Sequence, residues 1–254
     1  MTIFQSIILG IIQGLTEFLP VSSSGHLVIA QSLIKEFKQP GVLFDVTLHL
    51  GTLIAVIIYF KDRIIKILKD IKLLSFIILA TVPTGIIGIL FKDRFEEMFS
   101  NVKLVGLMLM VTAVIIFIAD RVKSDSKDLS KVNWLNSVII GIAQGIAIIP
   151  GISRSGSTIS AGILLGLDKK FAMEFSFLIS IPAILGAMVL EVKDLTSEKL
   201  QNINYFVYIA GFLMAAIVGY LSIKLLLNLL QKQRLYIFSI YCIVLGLVIL
   251  GTGL

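Results

Sequence analysis

The stretch GIIQGLTEFLPVSSSGH at residues 10–26 interrupts an apolar segment with an acid, a proline and a run of serines. A counterpart, GIAQGIAIIPGISRSGST at residues 141–158, repeats its glycines, glutamine, proline and serines about 131 positions later. An apolar helix that runs into such a cluster is tolerated at membrane depth only where protein or a wet cavity surrounds it. Each stretch therefore predicts a helical hairpin that enters the membrane and returns to the same side.

The rest of the chain has the composition of a membrane protein. Of its 254 residues, 57% are apolar and 15% are charged, whereas about a quarter of the residues of a soluble domain are charged. Six further segments are long and apolar enough to span a bilayer, namely 42–60, 73–91, 104–119, 171–190, 205–230 and 235–254. The sequence thus predicts one all-α polytopic membrane domain over residues 1–254, with six transmembrane helices and two re-entrant hairpins.

The recurrence of the hairpin indicates that the chain is an internal duplication. The first repeat covers about 1–119 and the second about 134–254. Each repeat contains one hairpin, which returns to its own side, and three spans. Three crossings change the side of the membrane, so we expect the second repeat to be inverted relative to the first, as is typical of transport folds.

The net charge of +6 reflects membrane topology, and we expect no binding to nucleic acid. Lys and Arg residues are concentrated in four of the loops, at 61–72, 120–131, 169–170 and 231–234. With those loops in the cytoplasm, that side carries thirteen Lys and Arg residues and the other side seven. The positive-inside rule then predicts that the first hairpin inserts from the outside and the second from the cytoplasm. The flipped topology is the alternative.

In the first hairpin, Gly10, Gln13, Gly14 and Glu17 share one helix face, because they are spaced by three or four residues. Close packing against another backbone explains the glycines. It does not explain Glu17, because an acid at the membrane centre costs ~2.5–3.5 kcal/mol. The second hairpin has Ile148 at the matching place, so packing does not require an acid. We therefore expect Glu17 to be functional and Gln13 to bind substrate in the same site.

The serines of the first hairpin precede a histidine. An N-cap role accounts for one of Ser22, Ser23 and Ser24, but not for all three. His26 follows Ser23 by three residues, a spacing at which a hydroxyl and an imidazole can meet as nucleophile and base. A packed, hydrogen-bonded histidine is the alternative. We expect Glu17, Ser23 and His26 to be catalytic, and Ser22 and Ser24 to bind substrate.

The second hairpin predicts an anion site. Arg154 is the one arginine outside the polar loops, and it stands among Ser153, Ser155 and Thr158 before an apolar helix expected at 159–167. Hydroxyl groups, a helix N-terminus and a guanidinium together form a cradle for an anion, of which phosphate is the obvious example. We therefore expect Arg154 to be catalytic, and Ser153, Ser155 and Thr158 to bind substrate.

Intramembrane acids offer an alternative role for Arg154. It can pair with Glu17 or Glu174, and this is compatible with anion binding because a resting ion pair can open to receive a charged ligand. Glu174 corresponds in the duplication to Asp45. His49, four residues after Asp45, is a weaker site candidate, because the histidines have no clear metal-binding spacing.

The blocks GLTEFLPVSSSGH and PGISRSGSTIS resemble the two signature blocks of the bacterial undecaprenyl-diphosphatase family, also called bacitracin-resistance proteins. The resemblance covers essentially the whole chain. It implies hydrolysis of undecaprenyl diphosphate to undecaprenyl phosphate and inorganic phosphate, which recycles the lipid carrier for peptidoglycan synthesis. It also implies a multi-pass protein of the bacterial plasma membrane with its active site facing the outer side. The functional residues of the family fall on Glu17, Ser23, His26, Ser153, Arg154 and Thr158.

The paired-acid block of that family allows Glu or Gln at its first acid, and this chain has Gln13 there. Gln13 can hydrogen-bond, but it cannot be an obligatory proton carrier or an anionic metal ligand. Any carboxylate role, including a metal-binding one, then rests on Glu17. The cofactor expectation is a divalent cation, Mg²⁺ or Ca²⁺, held at Glu17, with no organic cofactor.

These features predict that the two hairpins meet in mid-bilayer and share one site. Arg154 and residues 153–158 grip the diphosphate, and Ser23 attacks the terminal phosphorus. His26 serves as base, while Glu17 orients it, protonates the leaving group or holds the cation. Direct attack by His26 remains open, since spacing does not rank the two nucleophiles.

A secondary transporter or flippase for a phosphorylated polyprenyl lipid is the rival prediction, because inverted repeats and broken helices are common in transporters. Glu17 and His26 occur in one half only, and this asymmetry favours hydrolysis. The expected partners are a polyprenyl diphosphate substrate and membrane lipid; the sequence leaves a homo-oligomer open.

Overall fold

The computed structural model describes residues 1–34, 42–122, 133–193, 204–231 and 234–252, and in these ranges the regular secondary structure is entirely helical. The helices of the described ranges are α1 (Ile3–Phe18), α2 (Ser23–Leu33), α3 (Val42–Tyr59), α4 (Lys61–Leu68), α5 (Ile71–Leu90), α6 (Lys92–Phe99), α7 (Val102–Arg121), α8 (Trp134–Ile146), α9 (Arg154–Leu164), α10 (Lys169–Lys193), α11 (Tyr205–Gln231) and α12 (Tyr236–Thr252). The prediction of an all-α protein is confirmed.

Four of these helices are long and apolar enough to cross a membrane: α5, α7, α10 as far as Leu190, and α11 as far as Leu229. The pair α3 and α4 passes the same criterion as a fifth, but the chain bends by 78° between them. Three more helices, α1, α8 and α12, are apolar but only 16, 13 and 17 residues long. The chain is therefore a multi-pass membrane protein by the length and composition of its helices.

In each of the two serine-containing stretches, the first helix of the hairpin ends and a second helix begins. α2 begins after Ser22, whose side chain accepts the backbone N–H of Gly25 at 3.2 Å. α9 begins after Ser153, whose side chain accepts the backbone N–H of Gly156 at 3.0 Å. The helix expected at 159–167 was placed too late: because Ser153 caps the chain at this point, the helix starts five residues earlier. Arg154 is consequently its first residue and not part of a preceding loop.

The glycine faces of α1 and α8 are packing surfaces, so the explanation of those glycines by close packing is confirmed. A Cβ on Gly10 would collide with the carbonyl oxygen of Gly211 in α11, and a Cβ on Gly141 would collide with that of Ala80 in α5. Backbones approach this closely only where a side chain is missing. α1 therefore packs against a helix from the second half of the chain, and α8 against a helix from the first half.

An aromatic cluster at the end of α1 joins this helix to α10 and to the chain just after α3. The buried rings of Phe18 and Phe177 meet edge to face with centroids 5.3 Å apart, and the ring of Phe60 lies 5.7 Å from that of Phe177. These contacts tie α1 to α10 and to the chain just after α3. Aromatic pairs of this kind have a preferred geometry as well as a large buried area. They therefore fix the relative positions of the backbones beside Glu17.

Candidate active site

Glu17, in the last turn of α1, is a buried carboxylate surrounded by four polar partners from four helices. Its Oε1 accepts a hydrogen bond from Arg154 Nη2 at 2.5 Å. Its Oε2 accepts from Ser23 Oγ at 2.6 Å and from Gln13 Nε2 at 2.9 Å, and His49 Nε2 lies 3.5 Å from the same oxygen. The cost of burying this charge is offset because the carboxylate is both paired and hydrogen-bonded.

The helices α2 and α9 both begin beside this carboxylate. Ser23 is the first residue of α2 and Arg154 is the first residue of α9, and the two occupy matching places in SSSG (22–25) and SRSG (153–156). The N-terminus of a helix has unpaired N–H groups and a partial positive charge. Two such ends and a guanidinium at one place favour the binding of an anion.

Direct hydrogen bonds join the two hairpins. Besides the contact between Arg154 and Glu17, Ser155 Oγ donates to the carbonyl of Leu19 at 3.0 Å. The buried Thr112 of α7 holds the second hairpin in place, because its hydroxyl accepts from the N–H of Ser153 at 2.9 Å and donates to the carbonyl of Gly151 at 2.9 Å. Sequence analysis did not single out Thr112, which has no distinctive neighbours along the chain.

Arg154 is held from a second direction by α10. Its Nη1 donates to the carbonyl of Ser176 at 3.3 Å, and the Ser176 hydroxyl lies 2.6 Å from the hydroxyl of Thr158. Of the two acids that the sequence offered, Arg154 pairs with Glu17, whereas Glu174 pairs with Arg63 at 3.4 Å. Ser176 was missed as a site residue, although it belongs to the same short segment as Glu174.

The expected pairing of Ser23 with His26 is absent, because both ring nitrogens of His26 bond elsewhere. Nδ1 lies 2.7 Å from the carbonyl of Ser22, and Nε2 lies 2.7 Å from the hydroxyl of Tyr241. A carbonyl only accepts, so Nδ1 carries a proton, and in the neutral imidazole Nε2 accepts from the Tyr241 hydroxyl. The Tyr241 ring also stacks on the imidazole at 5.6 Å. Glu17 therefore contacts Ser23 directly and does not orient His26.

Ser22 has an unusual backbone conformation that makes the His26 contact. Its φ of 68° is the only positive value at a non-glycine residue in the described ranges, and such a conformation costs on the order of 1–3 kcal/mol. In this conformation the Ser22 carbonyl accepts both the backbone N–H of His26 at 3.2 Å and its ring N–H. The Ser22 hydroxyl lies 3.3 Å from that of Ser24, so the two hydroxyls are neighbours at the start of α2.

The hydrogen bonds that Glu17 accepts in this arrangement do not fit the binding of a divalent cation by its carboxylate. Both carboxylate oxygens accept hydrogen bonds, and the positive Arg154 occupies one of them. The neighbouring Gln13 Oε1 is buried and has no hydrogen-bond partner. Among the residues that the structure describes, no three His, Cys, Asp or Glu side chains are grouped to hold a metal. The divalent cation stays a prediction, and no chemical step below depends on it.

Comparison with known proteins assigns the chain to a family. The family described as Bacitracin resistance protein BacA matches residues 6–248. A protein of Carboxydothermus hydrogenoformans is 46% identical, over 98% of this chain and 97% of that protein. A protein of Halothermothrix orenii is 47% identical over 98% of both chains, and one of Methanobrevibacter smithii is 43% identical over 98% of this chain and 97% of that protein. All three carry the name undecaprenyl-diphosphatase. With the match covering nearly the full length, this chain belongs to the bacitracin resistance protein BacA family.

Proposed function

We propose that this protein hydrolyses undecaprenyl diphosphate to undecaprenyl phosphate and inorganic phosphate, and so recycles the lipid carrier of peptidoglycan synthesis and confers resistance to bacitracin. Membership of the family and the names of the relatives support the reaction. The observation that carries the proposal is the single contact network in which Glu17 joins the Ser23 hydroxyl to the Arg154 guanidinium. A nucleophile, a base and an anion-binding group are thereby adjacent.

In the proposed first step, the diphosphate takes Arg154 away from Glu17. The guanidinium offers two parallel N–H groups to phosphate oxygens, and the first turn of α9 adds N–H groups that have no partner within the helix. Ser153, Ser155 and Thr158 surround this helix start with hydroxyl groups. The terminal phosphate is then bound beside Ser23, while the polyprenyl tail stays in the lipid.

Ser23 then attacks the terminal phosphorus. Its hydroxyl already donates to Glu17 Oε2 at 2.6 Å, which supports Glu17 as the general base. The Ser23 O–H bond breaks and its proton passes to Glu17, a bond forms between Ser23 Oγ and phosphorus, and undecaprenyl phosphate leaves with the electrons of the bridging P–O bond. The departing undecaprenyl phosphate takes the proton from Glu17, which is then a carboxylate again. Glu17 next takes a proton from water as the water oxygen attacks the phosphoserine phosphorus. It returns that proton to Ser23 Oγ as the bond between Ser23 Oγ and phosphorus breaks and inorganic phosphate is released.

The alternative nucleophile is His26. Its Nε2 accepts a hydrogen bond from the Tyr241 hydroxyl, so attack by His26 requires Tyr241 to move first. Ser23 needs no such movement, and we therefore retain it as the nucleophile. The contacts of His26 with the Tyr241 hydroxyl and the Ser22 carbonyl hold its ring in place. This supports a role for His26 beside the bound phosphate.

We propose further that the chain has six spans and two re-entrant hairpins in an inverted repeat, with the active site open to the outer face of the plasma membrane. The packing of α1 on α11 and of α8 on α5 supports the repeat. Gly10 contacts Gly211, and Gly141 contacts Ala80, so each pair is the other with its members exchanged and shifted by 131 positions. A two-fold relation between the halves requires exchanged contacts of this kind.

The reaction is tested with purified full-length protein in detergent, given undecaprenyl diphosphate and assayed for released phosphate. We expect release by the wild type and its loss in Arg154→Ala. The exposed Arg94, which pairs with Glu97 on α6, provides the matched control Arg94→Ala with unchanged release. No release by the wild type with Mg²⁺, with Ca²⁺ or without added cation would favour the rival function, transport of a phosphorylated polyprenyl lipid.

A further inference from the structure

His49 contacts the site from α3 although neither the sequence motifs nor the proposed steps require it. Its Nδ1 lies 2.8 Å from the carbonyl of Asp45, one turn earlier in α3, and its Nε2 lies 3.5 Å from Glu17 Oε2. The His49 side chain is 30% exposed and that of Glu17 is 4% exposed. The ring is thus anchored to its own helix at one nitrogen and directed at the buried carboxylate with the other.

The partners of the ring determine where its protons lie. The Asp45 carbonyl can only accept a hydrogen bond, so Nδ1 carries a proton. The other nitrogen faces a carboxylate, which also only accepts, and this contact is attractive when Nε2 is protonated as well. Glu17 thus lies between Arg154 at Oε1 and His49 at Oε2.

Arg154 and His49 have different parts in the reaction. Arg154 belongs to the group that grips the diphosphate, and it leaves Glu17 when substrate binds. A buried carboxylate that loses its ion-pair partner is strongly destabilised. Its position then depends on the groups that remain at Oε2, namely Ser23, Gln13 and His49. His49 is independent of the exchange, since it lies on a different helix and faces the other oxygen.

We propose that His49 is a positioning residue that holds Glu17 against Ser23 after the diphosphate has taken Arg154. This inference rests on the proposed phosphatase reaction and adds to it a residue that does not touch the substrate. Its effect appears in the chemical step, which uses the contact between Glu17 and Ser23, and not in substrate binding, which uses Arg154 and α9.

The test measures kcat and KM for phosphate release by purified His49→Leu, His49→Gln and Thr47→Val. Leucine fills the space without a donor, and the glutamine amide can donate to Glu17. Thr47 is the matched control on the same helix, because its hydroxyl bonds to the carbonyl of Leu43 at 2.8 Å, outside the site. We expect His49→Leu to lower kcat about tenfold or more with KM changed less than about twofold. His49→Gln recovers part of kcat, and Thr47→Val matches the wild type.

Wild-type kcat in His49→Leu would overturn the proposal, as would equal losses of kcat in the Leu and Gln variants. If His49→Leu does not fold, His49→Gln is compared with His49→Asn, whose shorter side chain does not reach Glu17. The proposal then requires a higher kcat for Gln, and equal values contradict it. Failure of the phosphatase assignment itself is a different result, in which the wild type and Thr47→Val release no phosphate.

Discussion

Arg154 Nη2 donates to Glu17 Oε1 at 2.5 Å, although the two residues are 137 positions apart in the chain. The pair joins the first residue of α9 to the last turn of α1, so it closes the contact between the two hairpins. Replacing a buried ion pair by apolar side chains is often neutral or stabilising. Stability alone therefore does not account for the pair. In the proposed reaction, the pair keeps the guanidinium beside Ser23 until the diphosphate displaces the carboxylate.

Loss of Arg154 should impair catalysis severely. We expect Arg154→Ala to lower kcat/KM by about 10²–10³-fold, on the scale of other groups that stabilise developing negative charge. Arg154→Lys should recover little, because an ammonium is a point charge without the planar fork that binds two phosphate oxygens. Initial rates of phosphate release at several substrate concentrations measure both. Wild-type kcat/KM in Arg154→Ala would show that this residue does not bind the diphosphate.

The nucleophile can be identified by trapping. We expect Ser23→Ala to abolish turnover, because it removes both the attacking oxygen and the proton that Glu17 accepts. Acid quenching of the wild type with substrate labelled in the terminal phosphate should leave acid-stable label on Ser23, because phosphoserine survives acid whereas phosphohistidine is hydrolysed. The control is Ser75→Ala, which removes an exposed hydroxyl bonded to its own helix and should keep full activity. Full turnover by Ser23→Ala, with enzyme-bound label that survives a quench in base and is lost in acid, would establish His26 as the nucleophile.

The close contact between α8 and α5 predicts a sharp difference between two glycines. In Gly141→Ala the new methyl group overlaps the Ala80 carbonyl, so the helices must separate, at a cost of about 1–3 kcal/mol or more. Gly85→Ala, on α5 itself, meets nothing within 4 Å. We expect thermal unfolding in detergent to give a markedly lower Tm for Gly141→Ala and an unchanged or raised Tm for Gly85→Ala. Equal Tm values for the two variants would contradict this packing.

The proposed membrane topology predicts which loops a membrane-impermeant thiol reagent can reach. Cysteine is introduced at the exposed Glu97 of α6 or the exposed Lys66 of α4, in a Cys242→Ala background, since Cys242 is the one cysteine of the chain. We expect Glu97→Cys to react in intact cells and Lys66→Cys to react only after lysis. The reverse pattern would establish the flipped topology and place the site on the cytoplasmic side.

The sequence allowed the central pair of the site to be predicted because a charge in an apolar segment is conspicuous wherever it lies. Glu17 and Arg154 were both identified in this way. The two breaks after which α2 and α9 begin were identified by their clusters of proline, glycine and serine. The start of α9 was misplaced by five residues because the apolar pattern begins at Ile159, whereas the cap at Ser153 sets the start of the helix. Spacing also suggested a pair of Ser23 and His26 that the folded chain does not form.

Composition and local pattern by themselves determined the helical membrane class, the two interrupted segments and the chemical types that they contain. The tertiary structure alone decided which of these groups touch: Ser23 meets Glu17, His26 meets Tyr241 from α12, and His49 from α3 joins the carboxylate. The physical reason is that helix formation and membrane partition depend on neighbours in the chain, whereas hydrogen bonds between helices depend on how glycine faces and aromatic side chains set the packing of distant segments.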